Sequence, residues 1–117
     1  HNHQPRDLVY TGTHDNDTTL GWYRSLDDRT RHYVNDYLAT SGDGMPWPVI
    51  EAAFRSVCSL AVVPMQDFLG LGTEARFNTP GTITNNWTWQ LDWNFPEKDL
   101  SKTIAESVKR HGRLPPV

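Results

Sequence analysis

The densest group of side chains that could do chemistry lies in residues 11–17 (TGTHDND). It holds the imidazole of His14 and the carboxylates of Asp15 and Asp17. Such groups can act as acid and base, hold a metal ion, or bind the hydroxyl groups of a polar ligand. The same residues can also stabilise a turn and begin a helix, and spacing alone leaves both interpretations open.

A second group of polar and aromatic side chains lies in residues 66–95, a long segment with little hydrophobic periodicity. Loops of this length inside compact domains are usually functional. Amide, carboxylate and guanidinium groups bond sugar hydroxyls, and indole rings cover the apolar faces of pyranose rings, so this composition favours a carbohydrate ligand. Packing of the tryptophans against the fold is the alternative. The side chains concerned are Gln66, Asp67, Glu74, Arg76, Asn78, Asn85, Asn86, Trp87, Trp89 and Trp93.

Other kinds of site have weaker support in the sequence. The residues that could converge on a metal ion are His1, His3, His14 and Asp15. No two histidines are spaced for one helix face and Cys58 is the only cysteine, so we expect no metal and no other cofactor. The sequence also lacks a Gly-x-Ser-x-Gly nucleophile motif and a complete phosphate-binding glycine motif.

The composition excludes several partners. The 117 residues carry 11 Lys and Arg against 14 Asp and Glu, a formal net charge of -3, without a dense basic run, so we expect no nucleic-acid and no membrane partner. The longest apolar stretch, residues 57–65, is about half the length needed to cross a bilayer.

A single cysteine permits no internal disulfide and favours a cytoplasmic location. Because the chain starts without Met, we expect it to be part of a longer polypeptide.

The hydrophobic pattern predicts two short, buried, parallel strands, at residues 8–10 and 61–65, each followed by a polar loop. It also predicts four helices. They span residues 20–26 after an N-cap at Asp17 or Thr18, residues 29–39 with one apolar stripe, residues 49–60 facing the core, and a C-terminal helix from Pro96 and Glu97 up to Gly112.

This order of elements is that of consecutive βα units in a parallel-sheet protein. Two parallel strands do not make a stable sheet by themselves, and a (β/α)8 barrel takes roughly 250 residues, so 117 residues would form less than half of one. In such a barrel the active site is built from the loops at the carboxyl ends of the strands. We therefore expect an α/β fold with its site in the two polar loops, and exposed apolar patches where the rest of a barrel is missing.

Three stretches of the sequence resemble one known family. They are residues 9–22 (VYTGTHDNDTTLGW), 64–82 (PMQDFLGLGTEARFNTPGT) and 86–89 (NWTW). These motifs are similar to those of the amylomaltases, the 4-alpha-glucanotransferases of glycoside hydrolase family 77. The resemblance implies a (β/α)8 (TIM) barrel enzyme several-fold longer than this chain, which transfers 1,4-alpha-glucan segments between maltooligosaccharides with retention. It also implies that residues 1–117 are the C-terminal portion of the catalytic barrel, its last two βα units.

The same resemblance assigns roles to individual residues. Asp15 matches the family's third essential carboxylate, which grips sugar hydroxyls and stabilises the oxocarbenium-like transition state. His14 matches the neighbouring histidine, which bonds the same sugar. Asn16, Asn78 and Pro80 fall in the stretches that the resemblance assigns to substrate binding.

No stretch of the sequence matches the family's nucleophilic aspartate or its acid/base glutamate. Because retaining chemistry needs two carboxyl groups about 5 Å apart, we expect the isolated chain to be inactive, with the alpha-glucan substrate and the remainder of the barrel as its partners. A non-catalytic alpha-glucan-binding fragment is the alternative. The location implied is the cytoplasm, or the plastid if the source is a plant.

Overall fold

The structure is a computed structural model that describes residues 2–94, 96 and 98–115. Two βα units follow one another along the chain, as the hydrophobic pattern predicted. No helix within these ranges is both long enough and apolar enough to cross a bilayer. The elements are β1 Leu8–Tyr10, α1 Thr19–Ser25, α2 Asp28–Leu38, α3 Trp47–Arg55, β2 Leu60–Val62, α4 Met65–Phe68, a 3-10 turn Thr73–Ala75 and α5 Leu100–Arg110.

The two strands pair in parallel, which confirms the predicted strand direction. Leu8 is opposite Leu60 and Tyr10 is opposite Val62. Because parallel strands end at the same edge of a sheet, the polar loops that follow β1 and β2 begin side by side. The prediction that both strands are buried is wrong, since Leu8, Tyr10 and Leu60 are about half exposed. In the described part of the chain each strand has a single neighbour, so the other edge of each stays open.

Helices α1 and α2 begin where their capping residues predict. The side chains of Thr18 and Asp27 each accept a hydrogen bond from a backbone amide three residues further on, which satisfies one of the free N–H groups at a helix start. The apolar stripe predicted on α2 does not enter the core, because no residue of this helix is buried and both Tyr33 and Tyr37 are exposed.

The core is centred on α3, whose apolar face predicted a core-facing helix. Ile50, Ala53 and Phe54 are buried there. The ring of Phe68, from α4, lies 6.4 Å from that of Phe54 and 5.9 Å from that of Trp47. Helix α4 is therefore fixed against α3, and it carries the beginning of the loop that follows β2.

The predicted boundaries of the second strand and of the C-terminal helix differ from the structure. The second strand ends at Val62 instead of continuing to Met65, because Pro64 has no N–H group to donate to a sheet and instead precedes the first turn of α4. The C-terminal helix begins at Leu100. Its predicted start included Glu97, which lies outside the described residues.

Helix α5 packs against α3 through a polar cluster around Glu51. The Glu51 carboxylate accepts hydrogen bonds from Ser107 Oγ at 2.8 Å and from Arg110 Nη1 at 3.0 Å, and His111 Nε2 contacts its other oxygen. Burial raises the pKa of Glu51, but the hydrogen bonds from His111 and Ser107 and the charge of Arg110 outweigh it and hold the pKa below its usual value.

The C-terminal end of α3 has its own partner in the segment after α5. The guanidinium of Arg113 donates to the main-chain oxygens of Phe54, at 2.7 Å, and Ser56, at 3.0 Å. These bonds satisfy carbonyl groups that a helix end leaves free. The predicted helix to residue 60 is five residues too long, because Ser56 is already extended and Leu60 belongs to β2.

Candidate functional site

A cleft of about 760 Å³ lies where the loops after β1 and β2 meet. Residues 12–18 line one side of it, and residues from the segments 64–67 and 75–77, with Trp89, line the other. In sheets of this kind, ligands bind beyond the carboxyl ends of the strands. The cleft thus unites the two groups of side chains in which the sequence predicted chemistry.

Asp15 is held in this cleft by one partner from each loop. Its Oδ1 accepts a 2.7 Å hydrogen bond from Asn78 Nδ2. Its Oδ2 lies 3.2 Å from His14 Nε2, a hydrogen-bonding distance when that nitrogen carries a proton. The side chains of His14 and Asp15 remain 55% and 49% exposed. The carboxylate is therefore oriented and still open to a ligand, because its two oxygens offer about four lone pairs.

Arg76 joins the same two loops through their main chains. Its Nη2 donates to the carbonyl oxygen of Asp15 at 2.9 Å, and its Nε donates to that of Asn78 at 3.0 Å. Sequence composition grouped Arg76 with side chains that could bond sugar hydroxyls. In the structure, two of its nitrogen atoms bond protein carbonyls instead.

Trp87 places an aromatic ring beside His14. The two ring centres are 5.1 Å apart. Phe77 supports the indole from its edge, with ring centres 4.7 Å apart, and the Trp87 amide donates to the Phe77 carbonyl at 2.7 Å. The indole is still more than half exposed. Trp89 lines the cleft, whereas Trp93 does not line it and is 82% exposed.

The segment that contains Pro80 forms a turn next to this cleft. The Thr82 amide donates to the Thr79 carbonyl at 3.2 Å, and Gly81 has a φ of 82°, as a type II turn with proline in its second position requires. Asn86 fixes the turn, since its Oδ1 accepts from the Thr79 amide at 2.8 Å and its Nδ2 donates to the Thr82 carbonyl. Pro80 is exposed and is not among the residues that line the cleft.

Two further residues of the first loop line the cleft while stabilising the loop itself. Asn16 Oδ1 accepts from both the amide and the hydroxyl of Thr13, at 2.8 and 2.9 Å. Asp17 accepts from the Thr18 amide at 2.8 Å and from the Thr73 hydroxyl at 2.9 Å. Of the two predicted capping residues, Thr18 caps α1, and Asp17 ties the first loop to the 3-10 turn.

Asp67 has a structural role that the sequence did not indicate. Its side chain is fully enclosed, at 1% exposure. It accepts hydrogen bonds of 2.6 Å from the Thr11 hydroxyl, 2.6 Å from the Thr19 hydroxyl and 2.9 Å from the Thr19 amide. It therefore joins α4 to the end of β1 and the start of α1. No local signal could have revealed this, because its partners lie about fifty residues away along the chain.

Of the histidines considered for a metal site, His3 and His14 lie in different parts of the structure. His14 and Asp15 share the cleft described above, while His3 lines a different groove, with Tyr37 and Val57. His1 lies outside the described residues. Within the described ranges, no three His, Cys, Asp or Glu side chains are placed to hold a metal ion.

Taken together, paired parallel strands with a polar, aromatic-lined cleft at their carboxyl ends define the class: an α/β protein built from βα units whose site lies in the loops after the strands. The same fold occurs in the amylomaltase from Streptococcus agalactiae, solved in complex with acarbose. The match has a TM-score of 0.92 at 23% sequence identity and covers 97% of this chain and 23% of that one. This likeness shows the fold.

The family is shown by the sequence. Residues 1–95 match the model of the 4-alpha-glucanotransferase family, glycoside hydrolase family 77, and the chain belongs to this family. This confirms the family predicted from the sequence motifs.

Two relatives give the extent of the match. The chain is 49% identical to the chloroplastic/amyloplastic 4-alpha-glucanotransferase DPE1 of Arabidopsis thaliana, over 97% of this chain and 20% of that protein. It is 48% identical to the 4-alpha-glucanotransferase of Thermus thermophilus, over 74% of this chain and 18% of that protein. The chain thus spans about a fifth of the length of these relatives.

Proposed function

We propose that this chain is the part of a 4-alpha-glucanotransferase that stabilises the transition state and binds the glucan. The whole enzyme would transfer 1,4-alpha-glucan segments between maltooligosaccharides with retention, and this chain would form the last two βα units of its (β/α)8 barrel. The observation that carries the proposal is Asp15, a half-exposed carboxylate oriented by both loops in a cleft beyond the strand ends.

Asp15 acts on the sugar that develops positive charge. A hydrogen bond from a sugar hydroxyl to this carboxylate strengthens as the oxocarbenium-like transition state forms, which lowers the barrier more than it strengthens ground-state binding. Its bonds to Asn78 and His14 fix the carboxylate before the substrate arrives, so little reorganisation is needed during the reaction.

The other predicted residues lie in or beside the cleft around this carboxylate. His14 and Asn16 line the same cleft, where imidazole and amide groups can bond hydroxyls. Asn78 holds Asp15 through its side-chain nitrogen Nδ2, and its side-chain oxygen Oδ1 can accept a hydrogen bond from a substrate hydroxyl. Pro80 shapes the turn that follows Asn78. The amylomaltase of the same fold forms a complex with acarbose, which supports an alpha-glucan as the ligand.

The nucleophile and the acid/base group come from the remainder of the enzyme. Retention requires two carboxyl groups about 5 Å apart. Of the other carboxylates that line the cleft, Asp17 is bonded to Thr18 and Thr73 and Asp67 is enclosed by its donors. The half-exposed residues Leu8 and Leu60 mark the sheet that would continue into the rest of the barrel.

The second candidate is a non-catalytic alpha-glucan-binding fragment. It is favoured by a cleft that keeps the half-exposed carboxylate of Asp15, has the exposed indole of Trp87 next to its His14, and offers no second open carboxylate. Such a fragment would bind maltotriose without converting it.

The location of the protein stays a prediction: the cytoplasm or, for a plant protein, the plastid.

A chimeric enzyme tests the proposal. In the Arabidopsis thaliana relative, this chain replaces the segment that it matches, and glucose release and chain redistribution from maltotriose are measured for the chimera and for the isolated chain. We expect the chimera alone to be active. Asp15→Asn should lower its kcat by about 10²–10³-fold, whereas the matched control Asp36→Asn, an exposed carboxylate paired with His32 on α2, should not change it.

Three results would count against the proposal. Turnover by the isolated chain would mean that the chemistry is complete within 117 residues. A folded chimera without turnover would contradict the enzyme assignment, and if the isolated chain then bound maltotriose, the fragment alternative would hold. Full activity of the Asp15→Asn chimera would remove Asp15 from the mechanism.

A further inference from the structure

We propose that Arg76 is a positioning residue, whose guanidinium holds the main chains of Asp15 and Asn78 at the separation that lets the Asn78 amide orient the Asp15 carboxylate. This inference rests on the proposed function, because it concerns Asp15, the residue that is proposed to stabilise the transition state. It assigns Arg76 a role other than the sugar contact that the sequence composition suggested.

Three hydrogen bonds form a closed ring between the two loops. Arg76 Nη2 bonds the Asp15 carbonyl at 2.9 Å, Arg76 Nε bonds the Asn78 carbonyl at 3.0 Å, and Asn78 Nδ2 bonds Asp15 Oδ1 at 2.7 Å. Each member is bonded to both of the others. The main chain and the side chain of Asp15 are therefore tied to the same three-residue stretch of the second loop.

The shape of the guanidinium sets the distance between the two carbonyl groups. The Nε–H and one Nη2–H bond lie along the same edge of the rigid, planar guanidinium and point in the same direction. Two acceptors bonded to this edge cannot move apart without losing a bond. A lysine ammonium would keep the positive charge, but as a point charge on a flexible stem it would not fix two acceptors in this geometry.

The other bonds between the loops act further from the carboxylate. Asp67 holds Thr11 and Thr19, and Asp17 holds Thr73. These bonds fix the base of the first loop, where it leaves β1 and enters α1. In the described part of the chain, the bonds from the second loop that reach Asp15 itself are those of Arg76 and Asn78.

A direct contact between Arg76 and the glucan is the competing explanation. The two explanations differ in what they change. A residue that binds the substrate equally in the ground and transition states raises KM when it is removed and leaves kcat unchanged. A residue that acts through Asp15 lowers kcat, and its removal has little further effect once the Asp15 carboxylate is gone, because residues that act as a unit are not additive.

The experiment uses the active chimera described above, with maltotriose as the substrate. The variants are Arg76→Gln, Arg76→Lys, Asp15→Asn and the double variant Arg76→Gln with Asp15→Asn. Arg113→Gln is the matched control, because the Arg113 guanidinium also donates to main-chain carbonyls, those of Ala53, Phe54 and Ser56, but at the end of α3. Circular dichroism and Tm are recorded for every variant.

We expect Arg76→Gln to lower kcat by about 10–100-fold with KM changed less than about threefold, because small displacements of a positioned group cost this much in rate. Arg76→Lys should remain folded and should not restore kcat. In the Asp15→Asn background, Arg76→Gln should lower kcat by less than about threefold further. Arg113→Gln should lower Tm and leave kcat and KM unchanged.

The inference would be overturned by any of three results in an active chimera. These are full rescue by lysine, a rise in KM without a fall in kcat, and losses from Arg76→Gln and Asp15→Asn that multiply. An inactive wild-type chimera is a different result, since it contradicts the proposed function and, with it, the inference. The activity of the unsubstituted chimera therefore distinguishes the two failures.

Discussion

Two regions of the structure each contain a carboxylate paired with a histidine, but the pairs differ in how exposed they are. Near the strand ends, Asp15 is paired with His14, and the two side chains are 49% and 55% exposed. Between α3 and α5, Glu51 is paired with His111, and the two are 22% and 12% exposed. Each region also has an arginine that donates to main-chain carbonyls, Arg76 near the strand ends and Arg113 at the end of α3.

The difference lies in what surrounds these groups. Around Glu51, Ser107 and Arg110 donate to the carboxylate oxygen that His111 does not contact, so the cluster packs one helix on another. Around Asp15 the partners orient the carboxylate and leave it open to the cleft. A list of bonds would not separate the two regions. Exposure of an oriented, charged group is what indicates a ligand site, and its enclosure indicates packing.

The largest expected effect comes from the buried carboxylate of Asp67. Asp67→Ala leaves the hydroxyls of Thr11 and Thr19 and the Thr19 amide without their acceptor. Because each buried donor without a partner costs about 1–3 kcal/mol, the free energy of unfolding should fall by about 3 kcal/mol or more, measured by urea denaturation. Asp15→Ala, the exposed counterpart, should change it by less than about 1 kcal/mol. Equal losses of unfolding free energy in the two variants would show that Asp67 and Asp15 do not differ in structural role.

A somewhat smaller effect is expected where α1 approaches the 3-10 turn. A Cβ on Gly21 would lie 2.5 Å from Thr73 Oγ1 and 2.6 Å from Asp17 Oδ1, closer than atoms can pack. Gly21→Ala should therefore cost about 1–3 kcal/mol of stability. Gly12→Ala is the control, because the nearest atom to its added Cβ lies at 3.7 Å. If both variants unfold at the same urea concentration, this close approach does not support the site.

The helix contact at Glu51 should depend on pH in a defined direction. The pKa of Glu51 is held below its usual value of 4.5, so its stabilisation is fully present above pH 4.5 and is lost as the pH falls through the lower, folded-state pKa. Glu51→Gln should cost about 1–2 kcal/mol near neutral pH.

The measurement is the free energy of unfolding from pH 3 to 7 for the wild type, Glu51→Gln and the exposed-surface control Asp36→Asn. The difference between wild type and Glu51→Gln should narrow at the acidic end. A difference that stays constant over this range would show that Glu51 contributes by packing and not by charge.

Local signals in the sequence predicted much of this structure. The caps at Thr18 and Asp27 and the buried face at Ile50 and Phe54 follow from residue type and spacing within a few positions. The parallel pairing followed from two apolar runs separated by helices. The family motifs indicated Asp15 and His14 as site residues, and in the structure both line one cleft, with Asn78 hydrogen-bonded to Asp15.

The remaining features depend on contacts between distant segments. Arg76 meets Asp15 across 61 positions, and Asp67 meets Thr19 across 48, and nothing in the spacing of these residues specifies such pairs. Exposure was mispredicted for the strands for a related reason, since an apolar run indicates what a strand can bury and not which neighbours cover it. Residue type therefore predicted where chemistry could occur, while tertiary contacts decided which side chains remain exposed to solvent or a ligand.

The most direct test compares one substitution in each of the two regions. In the chimera, kcat on maltotriose and Tm are measured for Asp15→Asn and for Glu51→Gln, two substitutions that each remove one charge from a carboxylate–imidazole pair. We expect Asp15→Asn to lose about 10²-fold or more in kcat with little change in Tm, and Glu51→Gln to lower Tm with kcat unchanged. The reverse pattern, or equal effects of both substitutions on both quantities, would contradict the assignment of Asp15 to the site and Glu51 to packing.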